Sequence, residues 1–441
     1  MGPRGRVRGG GPQSPTRAAA AARDAAVTAP GTYRALLWSL LAAGGALRLV
    51  LAFTTDGVVP DLESFRIVAH ALRDAPGHVY AIANSHPPFV RWPYPPGYFP
   101  FIAGADRIAD ATGLDFLSVI RLGPIAADLV IAWVVQAFLG WRGHGPGTRL
   151  AAAALVALGP PFAAVSGYHG QIDAMAILPA VLALALWERT DAAWRGPAAG
   201  ALIGLGGSIK TIPLLMVIAL LPSARSRREA VQVVVCAAAV PLLAITPWLV
   251  SEGTGWTRVF RYNGAPGLGG LSLVAQPDLA PAWFGLGRAA PNGFSQALFD
   301  GSRYVAAASV LLAGAWLWRF RAGAVIASVV VWLTVYAFGV TFFMQYAVWG
   351  IPFFLMAGYV KHVLVLEVAL LGPILVTYAG IADEGWQAYV LYVAPMLAVW
   401  AGMTLALVAL LRGLAVRPPG TPRPRRGSPG APWRAARSPR A

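Results

Sequence analysis

In this 441-residue chain only 12% of the residues are Asp, Glu, Lys or Arg, and those able to do chemistry gather in four short clusters. The first begins Val59-Pro60-Asp61-Leu62-Glu63 and continues, after a gap, through Asn84-Ser85-His86 to Trp92-Pro93-Tyr94-Pro95-Pro96. Asp61 and Glu63 offer carboxylates for acid–base work. Residues i and i+2 of a helix do not share a face, so the two acids are not expected to act as an equivalent pair. Pro60-Asp61 ahead of a helical run also fits a helix start with Asp61 as N-cap. The two roles are compatible.

The second cluster is Gly167-Tyr168-His169-Gly170-Gln171-Ile172-Asp173, between two apolar runs. Polar groups at such depth are costly and often functional, and the same string also fits a tight turn whose Asp173 caps the next helix. The third is Lys210, one of two lysines in the chain, within Gly206-Gly207-Ser208-Ile209-Lys210-Thr211-Ile212-Pro213. Broken helices in membranes line cavities or are buried in protein, and a lysine there suits a phosphate by charge and helix dipole. Snorkelling to the surface is the other reading. The fourth runs from Phe342 to Pro352 and includes Gln345, Tyr346 and Trp349. It fits either a substrate groove or an interfacial aromatic belt.

The elements that must position these clusters are membrane helices. Hydrophobic residues make up 57% of the chain, and the charged share is about half the ~25% usual in soluble proteins. Apolar runs fall near 35–53, 117–140, 150–167, 171–187, 230–250, 303–319, 323–341, 343–360, 362–381 and 387–411. With 197–221 split at its glycines into two short pieces, about twelve membrane elements result, an all-α polytopic bundle. An even count places Arg142, Arg149, Arg189, Arg195, Arg225, Arg227, Arg228, Arg319, Arg321 and Lys361 in short cytoplasmic loops, as the positive-inside rule requires. Two long segments, 54–116 and about 251–302, then face outside. Within the first, 97–108 is too short to span and reads as an interfacial or re-entrant helix.

The formal charge of +16 points at first to nucleic acid, but residues 1–34 and 412–441 carry +13 of it. Both are Arg-, Pro- and Gly-rich segments that read as disordered cytoplasmic tails near anionic lipid, leaving 35–411 as the membrane domain. Nucleic acid is therefore not an expected partner. No cleavable signal peptide is expected. The single cysteine, Cys236, rules out a disulfide framework and a cysteine metal site. No Walker loop, dinucleotide fingerprint or His-Glu-x-x-His is present, so ATP-driven transport and zinc proteolysis have no support.

Taken together, the clusters resemble the polyprenyl-phosphate-sugar-dependent glycosyltransferases of the GT-C superfamily, particularly its mannosyltransferase-like members. The resemblance rests on Asp61 after the first span, Tyr94-Pro95-Pro96, Gly170-Gln171-Ile172-Asp173, Lys210 with Pro213, and the string from Gln345 through Tyr346 and Trp349 to Pro352. It covers roughly 35–411. The chain carries Asp61-Leu62-Glu63 where many members have Asp-x-Asp or adjacent acids.

The resemblance implies inverting transfer of a hexose, mannose first, from a polyprenyl-phosphate donor to a glycolipid, polysaccharide or protein on the outer face of a cell membrane. Asp61 is then the base for the acceptor hydroxyl. Lys210 is first choice to stabilise the leaving phosphate, with His86, Arg258 and Arg261 behind it. Glu63, Tyr94, Gln171, Asp173, Gln345, Tyr346 and Trp349 are expected to bind substrate, and an apolar groove of the chain, open to its partner the membrane lipid, is expected to hold the isoprenoid. A lipid monophosphate leaving group needs no evident divalent metal, and no cofactor is expected; Asp61 and Glu63 mark where a metal would sit. The alternatives are a flippase or secondary transporter for lipid-linked intermediates, for which an internal repeat is lacking, and a non-catalytic assembly partner. Asp128, inside the 117–140 run, is expected to pair with Arg121.

Overall fold

The computed structural model describes residues 30–85, 92–253, 257, 269–275, 293–340, 342–381 and 385–416. Among these the secondary structure is helical, with no strand. Six helices are long and apolar enough to cross a membrane: Pro30–Thr54, Phe116–Trp141, Pro146–His169, Arg227–Ser251, Val360–Ala379 and Gly385–Ala415. Shorter apolar helices cover Ile212–Ser223, Ala324–Phe338 and Met344–Met356. The protein is a multi-pass helical membrane protein. The first helix starts at Pro30 and the last reaches Ala415, so both extend a few residues into the stretches expected to be tails. Residues 1–29 and 417–441 lie outside the described residues.

The helices that build the site are α1 (Pro30–Thr54), α2 (Val59–Asp74), α3 (Phe99–Thr112), α4 (Leu122–Trp141), α5 (Pro146–Ala157), α6 (Asp173–Arg189), α7 (Arg195–Ile209), α8 (Arg227–Ser251), α9 (Ala347–Met356) and α10 (Val360–Ala379). They form two cores. The larger joins the membrane helices. The smaller gathers Leu62, Phe65, Trp92, Tyr98, Phe99 and Ile102 from the segment between α1 and α4. α3 belongs to this second core, burying Ile102, Ala105 and Ala109; at 14 residues it is the short non-spanning helix that the sequence suggested.

Close helix approach is set by glycine. Gly196, Gly200 and Gly204 recur every fourth residue on the face of α7 that meets α8, and small residues at that spacing let backbones approach. A Cβ at Gly200 would lie 2.5 Å from the Val233 carbonyl, and one at Gly204 2.8 Å from that of Ala237. At one end of this pair Ser226 accepts from the Glu229 N–H at 3.2 Å and starts α8. Glu229 also receives Arg195 at 2.8 Å and Arg225 at 2.7 Å. Arg142 pairs with Glu188 at 3.2 Å on the same end. Glu188 and Asp173 sit at opposite ends of α6, roughly 22 Å apart at about 1.5 Å per residue, so these basic loops lie at the end of the bundle away from the second and third clusters.

One expected pair is not formed. Asp128 bonds to Arg48 of α1 at 3.3 Å, not to Arg121. The Arg121 guanidinium instead donates to the carbonyls of Ala52 at 3.2 Å and Thr55 at 3.0 Å. It closes the C-terminal end of α1, whose last carbonyls have no helical donor, while Asp128 lies two turns further along α4, beside Arg48.

Gly200→Leu should lower the thermal midpoint of the detergent-purified protein, through an overlap costing about 1–3 kcal/mol. Gly104→Ala, where a Cβ meets nothing within 4 Å, should not. Equal midpoints for the two variants would contradict the close α7–α8 contact.

Candidate active site

α2 begins after Val58 with Pro60 in its first turn, and Asp61 follows inside that turn. Its side chain makes no cap bond, so the N-cap reading does not hold. The carboxylate is turned toward the second cluster instead. His169 Nε2 and Gln171 Nε2 each lie 2.6 Å from Asp61 Oδ2. A carboxylate can only accept, so Nε2 of His169 carries the proton. A neutral ring then accepts at Nδ1 from the Tyr378 hydroxyl, 2.8 Å away. Gln345 Oε1, 3.5 Å from that hydroxyl, is a second acceptor within its reach. Asp61 keeps 46% of its side chain exposed while His169 keeps 6%. One carboxylate oxygen is thus held by two donors, and the group remains open to a reactant.

Burial works to raise the Asp61 carboxyl, but the hydrogen bonds from His169 and Gln171 and the charge of Lys210 outweigh it. The group is held below the ordinary carboxylate range and is ionised at neutral pH.

The backbone delivers these donors through an irregular turn. After Pro160–Phe162 the chain widens into a π turn over Ala163–His169, and Gly170 follows in the left-handed region at φ +81°. A Cβ there would be strained by the backbone and would press on Leu62 of α2 at 2.6 Å. Gln171 donates to Asp61 with its amide nitrogen and accepts from the Tyr94 hydroxyl at 3.0 Å with its oxygen. Tyr94 is held in turn by Tyr80, whose hydroxyl donates to its carbonyl at 3.1 Å, and by the ring of Trp92 at 5.2 Å.

Asp173 stands in the first turn of α6 without a cap bond. Its Oδ1 receives Lys210 Nζ at 2.6 Å and the indole N–H of Trp349. Its Oδ2 is buried with no hydrogen-bond partner among the described residues. Lys210 follows α7 in an extended conformation, so its ammonium points inward and does not snorkel. It sits 5.1 Å from the ring of Trp349, 5.5 Å from Tyr94 and 5.8 Å from Tyr346, close enough for cation–π attraction. Tyr346 and Trp349 stack at 4.1 Å, and Trp349 is buried. The fourth cluster is thus a wall of the site and not a lipid-facing belt. Gly97 seats the Tyr94-Pro95-Pro96 stretch on Ser208, two residues before Lys210; a Cβ there would overlap that residue.

Asp61, Tyr94, Gln171, Asp173, Lys210, Gln345, Tyr346 and Trp349 therefore converge. Glu63 takes a different partner, Arg66 at 3.0 Å, which also holds Asp115 at 3.0 Å. His86, Arg258 and Arg261 lie outside the described residues. No three His, Cys, Asp or Glu residues gather to hold a metal ion among the described residues. Two site residues were not singled out from the sequence. His169 lies inside the second cluster, where its spacing to Gln171 was the available signal. Tyr378 lies in an apolar run with no motif around it.

A model of glycosyltransferase family 87 matches residues 92–342. That is more than half of the chain, and the protein belongs to this family, a membrane glycosyltransferase of the GT-C type. It therefore acts on a sugar donor and an acceptor. No curated protein matches the chain. The matched span holds Tyr94, Gln171, Asp173 and Lys210, while Asp61, Gln345, Tyr346, Trp349 and Tyr378 fall outside it and join the site through the fold.

Lys210→Met leaves Asp173 buried without its counter-charge, which should cost about 3–5 kcal/mol and lower the thermal midpoint markedly. Adding Asp173→Asn should restore most of the loss. A double variant no more stable than Lys210→Met would argue against the pairing.

Proposed function

We propose that the chain transfers a hexose, mannose first, from a polyprenyl-phosphate donor to a glycan, lipid or protein acceptor, with inversion, on the outer face of the membrane. The observation that carries this is one tyrosine shared by two charged groups. The Tyr94 hydroxyl bonds Gln171, which bonds Asp61, and the Tyr94 ring faces the Lys210 ammonium. A base and a cation are thereby set on two sides of one small space. Inverting transfer needs that arrangement: the acceptor oxygen enters one face of the anomeric carbon as the phosphate leaves the other.

In this reading the acceptor hydroxyl binds the exposed part of Asp61. Its oxygen forms the new bond to the anomeric carbon while the bond from that carbon to the phosphate oxygen breaks. The electron pair leaves with the polyprenyl phosphate, and the hydroxyl proton passes to Asp61. A carboxylate held ionised is a modest base at rest. The hydroxyl grows acidic as its bond to carbon forms, so transfer late in the step suffices. His169 and Gln171 fix the carboxylate on Oδ2 and leave Oδ1 for the reactant. Lys210, held by Asp173 and walled by aromatic rings, meets charge developing on the phosphate. The separation of the basic loops from the site supports the sidedness, with both termini inside.

Purified protein incubated with radiolabelled polyprenyl-phosphate-mannose and candidate acceptors should form an inverted glycosidic product; movement of lipid without sugar transfer would favour a flippase. Asp61→Asn should lower turnover by about 10²–10⁴-fold with the protein still folded, and full activity would exclude Asp61 as base.

The pH dependence adds a signed test. Because His169 and Gln171 lower the Asp61 pKa, wild-type kcat/KM should fall on the acid side only below the ordinary carboxylate range. His169→Ala or Gln171→Ala should move that fall to higher pH. A shift to lower pH would contradict the assignment.

A further inference from the structure

The turn that carries His169 starts from a broken helix. α5 ends at Ala157, and Pro160 and Pro161 follow. Proline has no N–H, so the carbonyls four residues back, those of Val156 and Ala157, lose their helical donors. An unsatisfied carbonyl inside an apolar bundle is costly. Arg48 of α1 fills both vacancies: Nη2 donates to the Val156 carbonyl at 2.8 Å and Nη1 donates to the Ala157 carbonyl. Nη1 also reaches the Gly44 carbonyl at 3.0 Å. The remaining edge, Nε, faces Ser166 Oγ at 3.1 Å and Asp128 Oδ2 at 3.3 Å. Ser166 lies inside the π turn that ends at His169.

Arg48 is completely buried. Space for it is set by small residues: a Cβ at Gly44 would overlap the Ala157 carbonyl, and one at Gly167 would come within 3.1 Å of Arg48 Cα. The flat five-donor guanidinium spans three carbonyls, a hydroxyl and a carboxylate at once; a lysine ammonium has three donors and no fixed plane.

We infer that Arg48 is a positioning residue for sugar transfer. It stabilises the Pro160–Pro161 break, and through Ser166 it fixes the π turn that aims His169 at Asp61. The inference rests on the proposed roles of Asp61 and His169, so its test has one arm that needs no catalysis. In a Cys236→Ser background, Asp61→Cys and His169→Cys are joined by a short crosslinker with a thiol-reactive maleimide at each end, with Arg48 intact or with Arg48→Met and Asp128→Asn together. The paired change removes both members of the buried ion pair. In case the paired variant does not fold, Pro160→Ala and Pro161→Ala are added to it to supply the missing backbone donors.

With Arg48 present, the crosslink should form. In the paired variant or its alanine-rescued form, the yield should fall about tenfold in a protein that elutes as a single species. In the otherwise native chain the same changes should lower kcat about 100-fold while the donor KM stays within about threefold. They should also have little further effect on His169→Ala, as expected for groups acting through one residue. An unchanged crosslink yield, or full recovery of kcat on adding the two alanines, would overturn the inference. Loss of the crosslink in a protein whose wild type transfers no sugar would keep the positioning role and remove the functional reading.

Discussion

One carboxylate oxygen, Asp61 Oδ2, joins the segment outside the first helix to the interior of the bundle. It receives His169 and Gln171, and both come from an irregular stretch that a continuous helix would not present. Much of the surrounding structure follows from this meeting. The prolines after α5 interrupt the helix, the π turn reaches out, and Gly170 takes a backbone conformation that a larger residue resists. The second hydrophobic core holds α2 over the turn through Phe65, Trp92 and Tyr98.

Charge is expensive in such a chain, and its placement reflects that. At the basic end, Arg195, Arg225 and Glu229 satisfy one another. In the bundle interior, Arg48 pairs with Asp128 and also closes the helix break. Lys210 and Asp173 form a third group, with one carboxylate oxygen buried and unpartnered among the described residues and aromatic rings around the ammonium. Asp128 Oδ1 and Asp173 Oδ2 are alike buried without a hydrogen-bond partner among the described residues. What sets the third region apart is the neighbouring Asp61, which keeps 46% of its side chain exposed while two donors hold one of its oxygens. An accessible carboxylate beside an ammonium walled by aromatic rings distinguishes the candidate site more clearly than the presence of charge alone.

Much of this was legible in the sequence because scarcity makes each polar residue informative. The helical class follows from composition, and the four clusters were found by type and spacing; all of them contribute to one site. Relations across helices were not legible. Asp128 was matched to Arg121, its nearest basic neighbour on the same run, but partners are chosen by packing, and Arg48 approaches from α1. Asp61 looked like an N-cap because Pro60-Asp61 fits that pattern; the side chain finds better donors on another segment. Tyr378 had no local signal, since a tyrosine in an apolar run fits an interfacial position equally well.

The central claim is that base and phosphate site flank one anomeric carbon. A structure of the protein with an unreactive polyprenyl-phosphonate sugar and an acceptor tests it most directly. The account predicts the phosphonate beside Lys210 and an acceptor hydroxyl bonded to Asp61, with its oxygen about 3–3.5 Å from the anomeric carbon on the face opposite the phosphonate. A phosphonate bound away from Lys210, with no acceptor oxygen on Asp61, would contradict it.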